Sequence, residues 1–288
     1  MKNKVALVLS SGGSKGLAHI GAINVLEKNG FQITSVSGSS IGSVMGGLYA
    51  MGELPRYTEW VRTLNKKAIW GLMDFAISTQ GLLKGETVFN KMKTFIPDRN
   101  IEEMNIPFSA IATDLINEKE VVFNQGSFYE AVRASVAIPT VFTPVKYQDT
   151  ILVDGGVLNP VPIDYVKRSE DDLLVVVNLY GDKIEKHIQK EENSKSVTLI
   201  NKLINLIYSG DKRNSGYFSL LNETTSTMIH RLAKLSIEKH QPDIVVNISA
   251  DAAGTFDFFK ADELIQLGED ATNLAINNYY LNQQKNDG

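Results

Sequence analysis

Residues 33–51, ITSVSGSSIGSVMGGLYAM, place a strand-like run, a serine turn between glycines and an apolar helical pattern in direct succession. Ile33–Ser37 has the composition of a strand, and Ile41–Met51 has that of a helix closed by Gly52. The turn between them, Gly38 to Gly42, fits the pattern G-x-S-x-G, in which a serine stands above the edge of a sheet. A strand that passes at once into a helix is the repeating unit of a parallel α/β fold.

The same alternation extends on both sides of this unit. Val5–Leu9 predicts a strand buried on both faces, and Leu17–Asn29 predicts a helix that ends at Gly30. Leu173–Leu179, which is almost purely aliphatic, predicts a central parallel strand. Further predicted strands are Pro107–Asp114, Glu120–Asn124, Ile151–Val153 and Ile244–Ile248, and further predicted helices are Glu86–Phe95, Ser127–Ser135, Val197–Ser209, Tyr217–His240 and Lys260–Asn278. Together these elements predict an α/β fold with a mostly parallel central sheet.

The length and composition limit the class of protein. A chain of 288 residues suits one large α/β domain, and we expect a single domain over residues 1–288. The net charge of -4 argues against a general nucleic-acid binder, which needs a concentrated basic face. The absence of cysteine excludes disulfides, thiolate catalysis and cysteine-ligated metals.

The sequence shows neither a membrane span nor a secretory signal. No run approaches the roughly 18 apolar residues that cross a bilayer. The apolar run Val5–Leu9 is shorter than the roughly 7–15 residues at the centre of a signal peptide. We therefore expect a cytoplasmic protein whose contact with a membrane is peripheral.

The G-x-S-x-G turn makes Ser40 a candidate nucleophile. A Cβ at either flank, Gly38 or Gly42, would collide with neighbouring backbone, so the turn requires small residues there. The Ser40 hydroxyl would stand at the N-terminus of the following helix, where unpaired N–H groups favour negative charge. The alternative role for Ser40 is that of an N-cap in an ordinary strand-to-helix turn.

A second glycine turn, Ser10 to Gly16, lies between the first predicted strand and the first predicted helix. Its lysine precedes the last glycine, so it does not match a Walker phosphate loop, and it also departs from the dinucleotide pattern. Backbone N–H groups of Gly12 and Gly13 can instead hold the negative oxygen formed in acyl transfer, where one donor contributes about 3–4 kcal/mol. Both turns should lie at the same sheet edge. Lys15 is expected to brace this loop rather than to meet an anionic head group.

The usual base for a nucleophilic serine is histidine, and the chain has four. His19 lies within the first predicted helix, where packing or capping is its more common role. His187, His230 and His240 lie away from strand ends, although the order of catalytic residues in α/β hydrolases leaves each of them open.

Asp154 has a more favourable position for a base. It ends the predicted strand Ile151–Val153, and the following Gly155 and Gly156 expose its carboxylate at a strand edge. A carboxylate held near a serine and partly desolvated has a raised pKa and can accept a proton. The alternative is a turn aspartate that caps its own loop.

Taken together, these motifs resemble the pattern of the patatin-like phospholipase family. That pattern consists of a glycine-rich oxyanion loop with a basic residue, a G-x-S-x-G serine, and an aspartate in D-G-[GA]. The chain has all three in the family's order. Two further stretches, Arg133–Pro139 and Asn159–Pro162, are similar to the family's segments on either side of its aspartate. The resemblance covers residues 5–180 well, and a helical part over residues 197–280 is expected to pack on that core.

The resemblance implies a three-layer α/β/α fold and a lipid acyl hydrolase with a Ser–Asp dyad. Ser40 would attack the ester carbonyl, Asp154 would take its proton, and water would hydrolyse the acyl-enzyme. The other implied site residues are the oxyanion loop Gly12, Gly13, Ser14, Lys15 and Gly16, the turn glycines Gly38 and Gly42, and the glycines after the aspartate, Gly155 and Gly156. The substrate would be a phospholipid or another carboxylic ester, and no metal or cofactor is implied.

The chain departs from the family pattern at two positions of the first glycine turn. Ser11 replaces a glycine, and Lys15 stands where arginine is more common. Lysine lacks the planar fork of arginine, which forms two parallel hydrogen bonds. We expect the chain to tolerate both departures, with only a slight shift of the oxyanion loop at Ser11.

Two apolar segments are candidates for the channel that an acyl chain requires. One is residues 68–75, AIWGLMDF, which can form a flap near the site. The other is the predicted helix that carries Leu199, Ile200, Leu203, Ile204 and Ile207 on one face. Either segment can instead pack simply on the core.

Three other functions remain open at this point. An acyltransferase would use the same dyad but pass the acyl group to an alcohol or thiol. A non-catalytic regulatory protein would keep the fold and bind lipid. A nucleotide-binding protein would use the first glycine turn, which fits nucleotide motifs poorly.

Overall fold

The computed structural model describes residues 3–74, 81–182 and 217–286. The predicted helix Val197–Ser209, His187 and Phe75 lie outside the described residues. The described strands are β1 Lys4–Leu9, β2 Gln32–Ser39, β3 Gly81–Leu83, β4 Phe108–Asp114, β5 Lys119–Phe123, β6 Thr140–Phe142, β7 Val145–Tyr147, β8 Thr150–Asp154, β9 Leu173–Gly181 and β10 Ile244–Ser249. The described α-helices are α1 Leu17–Lys28, α2 Ile41–Ala50, α3 Leu54–Arg62, α4 Lys66–Leu72, α5 Glu86–Lys93, α6 Phe128–Ser135, α7 Tyr217–His240 and α8 Ala261–Asn286.

The central sheet has the strand order β10-β9-β1-β2-β4-β8-β7, with β5 also paired to β4. The neighbours from β10 to β4 are all parallel, whereas β5, β7 and β8 are added in antiparallel pairs. This confirms the prediction of a mostly parallel sheet. β9 lies between two parallel neighbours, which explains its aliphatic sequence, because a parallel strand is buried on both faces.

The two faces of the sheet carry separate clusters of apolar side chains. On β1, Val5, Leu7 and Leu9 belong to the larger cluster, which also includes side chains of α1, α2 and α8. Val8 points the other way, into a cluster that includes Ala233 of α7. Alternate residues of a strand face opposite sides, so helices cover both faces of this sheet in a three-layer arrangement.

The pairing around β4 brings two distant parts of the chain end to end. β5 pairs with residues 110–114 of β4 and therefore occupies one edge. The other edge is shared by β2, which pairs with residues 108–111, and by β8, which pairs with residues 112–114. Ser39 of β2 is opposite Ile111, and Asp154 of β8 is opposite Ala112. The carboxyl ends of β2 and β8 therefore meet on consecutive residues of one strand.

Helices α1 and α8 cross at two glycines. A Cβ on Gly21 would lie 2.0 Å from the carbonyl oxygen of Ile265, and one on Gly268 would lie 2.0 Å from that of Ala18. Only glycine permits backbones to approach this closely. The crossing holds α8 against the large cluster of the sheet.

In the part of the chain that the structure describes, none of the helices has both the length and the apolar composition that crossing a bilayer requires.

We predict that Gly268→Ala lowers the free energy of unfolding by about 1–3 kcal/mol, because the new methyl group must push the two backbones apart. Gly71→Ala is the matched control, since Gly71 also lies in a helix and a Cβ there meets nothing within 4 Å. Urea unfolding of both variants measures the difference. Equal midpoints for the two variants would contradict the close crossing.

Candidate active site

Ser40 lies in the turn between the end of β2 and the start of α2. Its backbone has φ 54° and ψ -126°, a region that side-chain-bearing residues rarely adopt. A Cβ on Gly38 would lie 2.3 Å from the carbonyl oxygen of Gly42, and one on Gly42 would lie 2.1 Å from that of Leu9. The two glycines therefore make room for a strained turn, and strain of this kind is concentrated at functional sites.

Ser135, at the end of α6, fixes the backbone of this turn. Its Oγ accepts a hydrogen bond of 2.9 Å from the Ser40 N–H and donates one of 2.5 Å to the carbonyl of Ile111. Ser43 Oγ donates to the Ser40 carbonyl at 2.6 Å. The strained conformation of Ser40 is thus held by partners on α6 and α2, and the partner on α6 is itself anchored to β4.

Asp154 meets Ser40 because β8 ends where β2 ends. The Ser40 hydroxyl donates a hydrogen bond of 2.5 Å to Asp154 Oδ2. The other carboxylate oxygen, Oδ1, accepts the N–H of Gly156 at 2.7 Å. One oxygen is therefore directed at the serine while the other is held by the turn that follows the aspartate.

The environment of Asp154 shifts its pKa upward. Burial raises the pKa to about 7, although the hydrogen bonds from Ser40 and from the Gly156 N–H act in the opposite direction. The side chain is 5% exposed, so desolvation of the charged form outweighs the two hydrogen bonds. A carboxylate with a pKa near neutral can both accept and return a proton under physiological conditions.

The first glycine turn lies across the same sheet edge as Ser40. The N–H groups of Ser11 and Ser14 donate to the carbonyls of Pro160 and Thr255, each at 2.9 Å, and so fix the turn on both sides of the glycine pair. Gly12 and Gly13 line a cavity together with Ser40. The glycine pair therefore borders the same cavity as the candidate nucleophile.

Lys15 ties this turn to the neighbouring strand ends. Its ammonium donates to the carbonyl of Leu179 at 2.7 Å and to that of Ala250 at 3.0 Å, and the residue is 7% exposed. The contacts are those of a brace between the turn and the ends of β9 and β10. An ammonium group can donate one hydrogen bond to each of these two carbonyls, so the contacts do not require the planar fork of arginine.

The described histidines do not contact the serine. His19 Nε2 lies 2.9 Å from the carbonyl of Ser10, and burial lowers the His19 pKa to about 4, which keeps the ring neutral in the core. The His230 ring packs near Tyr180, and His240 Nε2 lies 3.2 Å from Asp164. Within the described residues, Ser40 Oγ is bonded to Asp154 and not to a histidine.

Two cavities meet at Ser40, and their linings differ. The first, of about 150 Å³, is bounded mainly by apolar side chains of α2 to α5 and β6. Its lining includes Val44, Tyr57, Trp60, Ile69, Leu72, Met73, Val88, Phe89 and Phe142. Three of these lie in residues 68–75, so the segment predicted as a flap contributes to this wall, whereas its Trp70 is exposed.

The second cavity, of about 380 Å³, also reaches Ser40 and has a more polar lining. Its polar side chains come from the first glycine turn, Asp154, the end of β9 and the first half of α7. They include Ser11, Lys15, Tyr180, Glu223, Thr225 and Ser226. Ser40 therefore borders both an apolar cavity and a more polar one, a combination that suits an ester with an apolar acyl chain and a polar alcohol.

Sequence reasoning did not single out Ser135 or Tyr180. Ser135 lies inside the Arg133–Pro139 stretch, whose similarity to the family's segment was the available signal. Tyr180 ends an aliphatic strand, and its contact with the site depends on how β9 lies beside β1. No local pattern carries that information.

Comparison with known proteins extends these observations. A family model described as patatin-like phospholipase matches residues 7–167, which is more than half of the chain. An uncharacterized NTE family protein of Mycobacterium tuberculosis is 39% identical over 178 residues, covering 62% of this chain and 49% of that protein. The lysophospholipase nte1 of Aspergillus niger is 29% identical over 308 residues, covering 99% of this chain and 18% of that protein.

The chain thus spans about half of the mycobacterial protein and 18% of the Aspergillus protein.

Among solved structures, VipD from Legionella pneumophila has a similar fold, with a TM-score of 0.51 and 15% identity, covering 97% of this chain and 67% of that one. The family match includes the glycine turn, the strained serine and the aspartate that meets it. The chain belongs to the patatin-like phospholipase family.

Proposed function

We propose that the chain is a serine-dependent lipid acyl hydrolase that cleaves carboxylic esters through an acyl-Ser40 intermediate, with Asp154 as the general base. The observation that carries this proposal is the 2.5 Å hydrogen bond from Ser40 to a buried carboxylate whose pKa is raised to about 7. Membership of the patatin-like phospholipase family supports a lipid ester as the substrate.

The reaction begins with proton transfer from Ser40 to Asp154. As the O–H bond breaks, Ser40 Oγ forms a bond to the ester carbonyl carbon, whose oxygen becomes negative. In our proposal, N–H groups of Gly12 and Gly13 stabilise that oxygen, since both glycines line the same cavity as Ser40. The bond to the alcohol then breaks, and Asp154 returns its proton to the departing oxygen.

Deacylation repeats the sequence with water. Asp154, ionised again, takes a proton from a water molecule that attacks the acyl-enzyme carbonyl, and then returns that proton to Ser40 Oγ. A single carboxyl group serves all four proton transfers because its pKa is close to neutral. An acyltransferase would replace the water by another acceptor at this step.

The apolar cavity is the proposed site of the acyl chain. Aliphatic and aromatic side chains of α2 to α5 form its wall directly beside Ser40. Removal of an acyl chain from water into such a cavity contributes about 0.8 kcal/mol for each buried CH₂ group. Esters with longer acyl chains should therefore bind more tightly.

We predict that Ser40→Ala and Asp154→Asn each reduce turnover at least about a thousandfold while the fold is retained, because the nucleophile and its base act as a unit. Hydrolysis of a short p-nitrophenyl ester with EDTA present measures the loss, and circular dichroism measures the fold. His230→Gln serves as the control. Activity that survives in Asp154→Asn but is lost in a histidine variant would reject the dyad.

We predict that kcat/KM rises about tenfold per pH unit below pH 7 and becomes constant above it. The sign follows from Asp154, which must be ionised to accept the serine proton and whose pKa is raised to about 7. The same profile measured at two temperatures identifies the group, since a carboxyl pKa depends little on temperature and an imidazole pKa depends strongly on it. A rise in kcat/KM centred near pH 4 would show an Asp154 pKa close to its ordinary value and would contradict the effect of burial.

We predict that Val88→Trp reduces kcat/KM for a palmitoyl ester at least about tenfold but changes acetyl ester hydrolysis much less, because the larger ring fills the acyl cavity. Rates for the two p-nitrophenyl esters measure the effect. Leu274→Trp is the control, since Leu274 is 62% exposed on α8. An equal fall in kcat/KM for both esters would show that the acyl chain does not occupy this cavity.

A further inference from the structure

Two hydroxyl groups in the polar cavity have no part in the proposed mechanism. Ser11 Oγ and the Tyr180 hydroxyl lie 2.6 Å apart, and both residues line the more polar of the two cavities at Ser40. Ser11 is 3% exposed, and Tyr180 is partly buried at the end of β9. The pair is therefore a built feature of the cavity wall and not a mobile surface contact.

The pair lies beside the carboxylate that returns a proton to the departing alcohol. Besides burial, the charge of Asp154 contributes to the raised pKa of Tyr180. A Cβ on Gly156 would clash with Ser11 Oγ at 2.7 Å and lie 3.0 Å from Asp154 Oδ1. The absence of a side chain on Gly156 therefore allows Ser11 to pack close to the carboxyl group. Ser11, Tyr180 and Asp154 line the same cavity as Ser40, so a substrate alcohol bound there would lie near both the hydroxyl pair and the carboxyl group.

The pair keeps hydrogen-bonding capacity for a ligand. One hydroxyl donates to the other, which leaves one O–H hydrogen and lone pairs on both oxygens. Burial raises the pKa of Tyr180 well above its usual range, so the phenol remains a donor. Two adjacent hydroxyls can thus accept one hydrogen bond and donate another to a neighbouring hydroxyl of the substrate.

The other polar side chains of the cavity have compatible chemistry. Thr225 and Ser226 contribute further hydroxyls from α7, and Lys15 is held by the carbonyls of Leu179 and Ala250. Hydroxyl groups that both donate and accept suit a hydroxylated ligand. The cavity therefore matches an alcohol that carries a further free hydroxyl.

We propose that Ser11 and Tyr180 recognise a free hydroxyl on the alcohol half of the substrate, next to the ester that Ser40 cleaves. This rests on the proposed function, because it assigns the polar cavity to the leaving alcohol and the apolar cavity to the acyl chain. Monoacylglycerols and lysophospholipids share this hydroxyl, whereas simple alkyl esters lack it. Ser11 and Tyr180 are then specificity-determining residues.

The test compares esters that share an octanoyl chain in the same mixed micelles. The alcohol halves are methanol, glycerol and glycerophosphocholine, and the variants are Tyr180→Phe and Ser11→Ala. We expect each variant to lower the ratio of kcat/KM for the glycerol ester to that for the methyl ester by about 2–12-fold, the equivalent of one hydrogen bond. An equal fall for the glycerophosphocholine ester supports recognition of the shared hydroxyl, whereas a fall confined to one of the two esters would contradict it.

Tyr49→Phe is the matched control, because the Tyr49 hydroxyl bonds to Glu27 in an exposed contact and Tyr49 is not among the residues that line the cavity. It should leave the ratio unchanged. Equal losses for all three esters in Tyr180→Phe would show that the pair only braces the glycine turn and would overturn the proposal. Wild-type protein that hydrolyses none of the esters, with Ser40→Ala as blank, would reject the proposed function itself and the recognition with it.

Discussion

The geometry of the candidate active site depends on two strands that share one edge of β4. β2 pairs with the first half of that edge and β8 with the second half, running in the opposite direction. Their carboxyl ends therefore meet. Ser40 follows the last residue of β2, and Asp154 is the last residue of β8. The two side chains form a 2.5 Å hydrogen bond although 114 positions separate them in the chain. A displacement of either strand by one residue would turn its side chains to the other face and separate the pair.

The same arrangement lowers the stability of the folded state at two residues. Ser40 has a positive φ, and Asp154 is buried, which raises its pKa from 3.8 to about 7. The folded state consequently holds the Asp154 proton more tightly than the unfolded chain does. The contribution of Asp154 to the free energy of unfolding therefore falls as the pH rises from about 4 to 7. Ionisation of this carboxyl group is less favourable in the folded protein than in the unfolded chain.

Packing around the site offsets that cost. Ser135 and Ser43 hold the backbone of Ser40, and Lys15 anchors the first glycine turn to two strand ends. The glycine contacts between α1 and α8 fix the C-terminal helix on the core of the sheet. Strained and desolvated groups persist in native proteins when the surrounding structure determines them in this way.

The sequence by itself determined the elements and the chemistry of the candidate residues. Hydrophobic periodicity predicted α7 at Tyr217–His240 and placed β1 and α2 within one or two residues, because burial imposes its period locally. The glycine patterns around Ser40 and Asp154 indicated both residues, since tight turns restrict which side chains fit. Only the tertiary structure decided that β2 and β8 meet on β4, that Ser135 holds the serine and that Tyr180 lies beside Ser11. These contacts join residues far apart in the chain, and their distances follow from strand order and register, which no local pattern encodes.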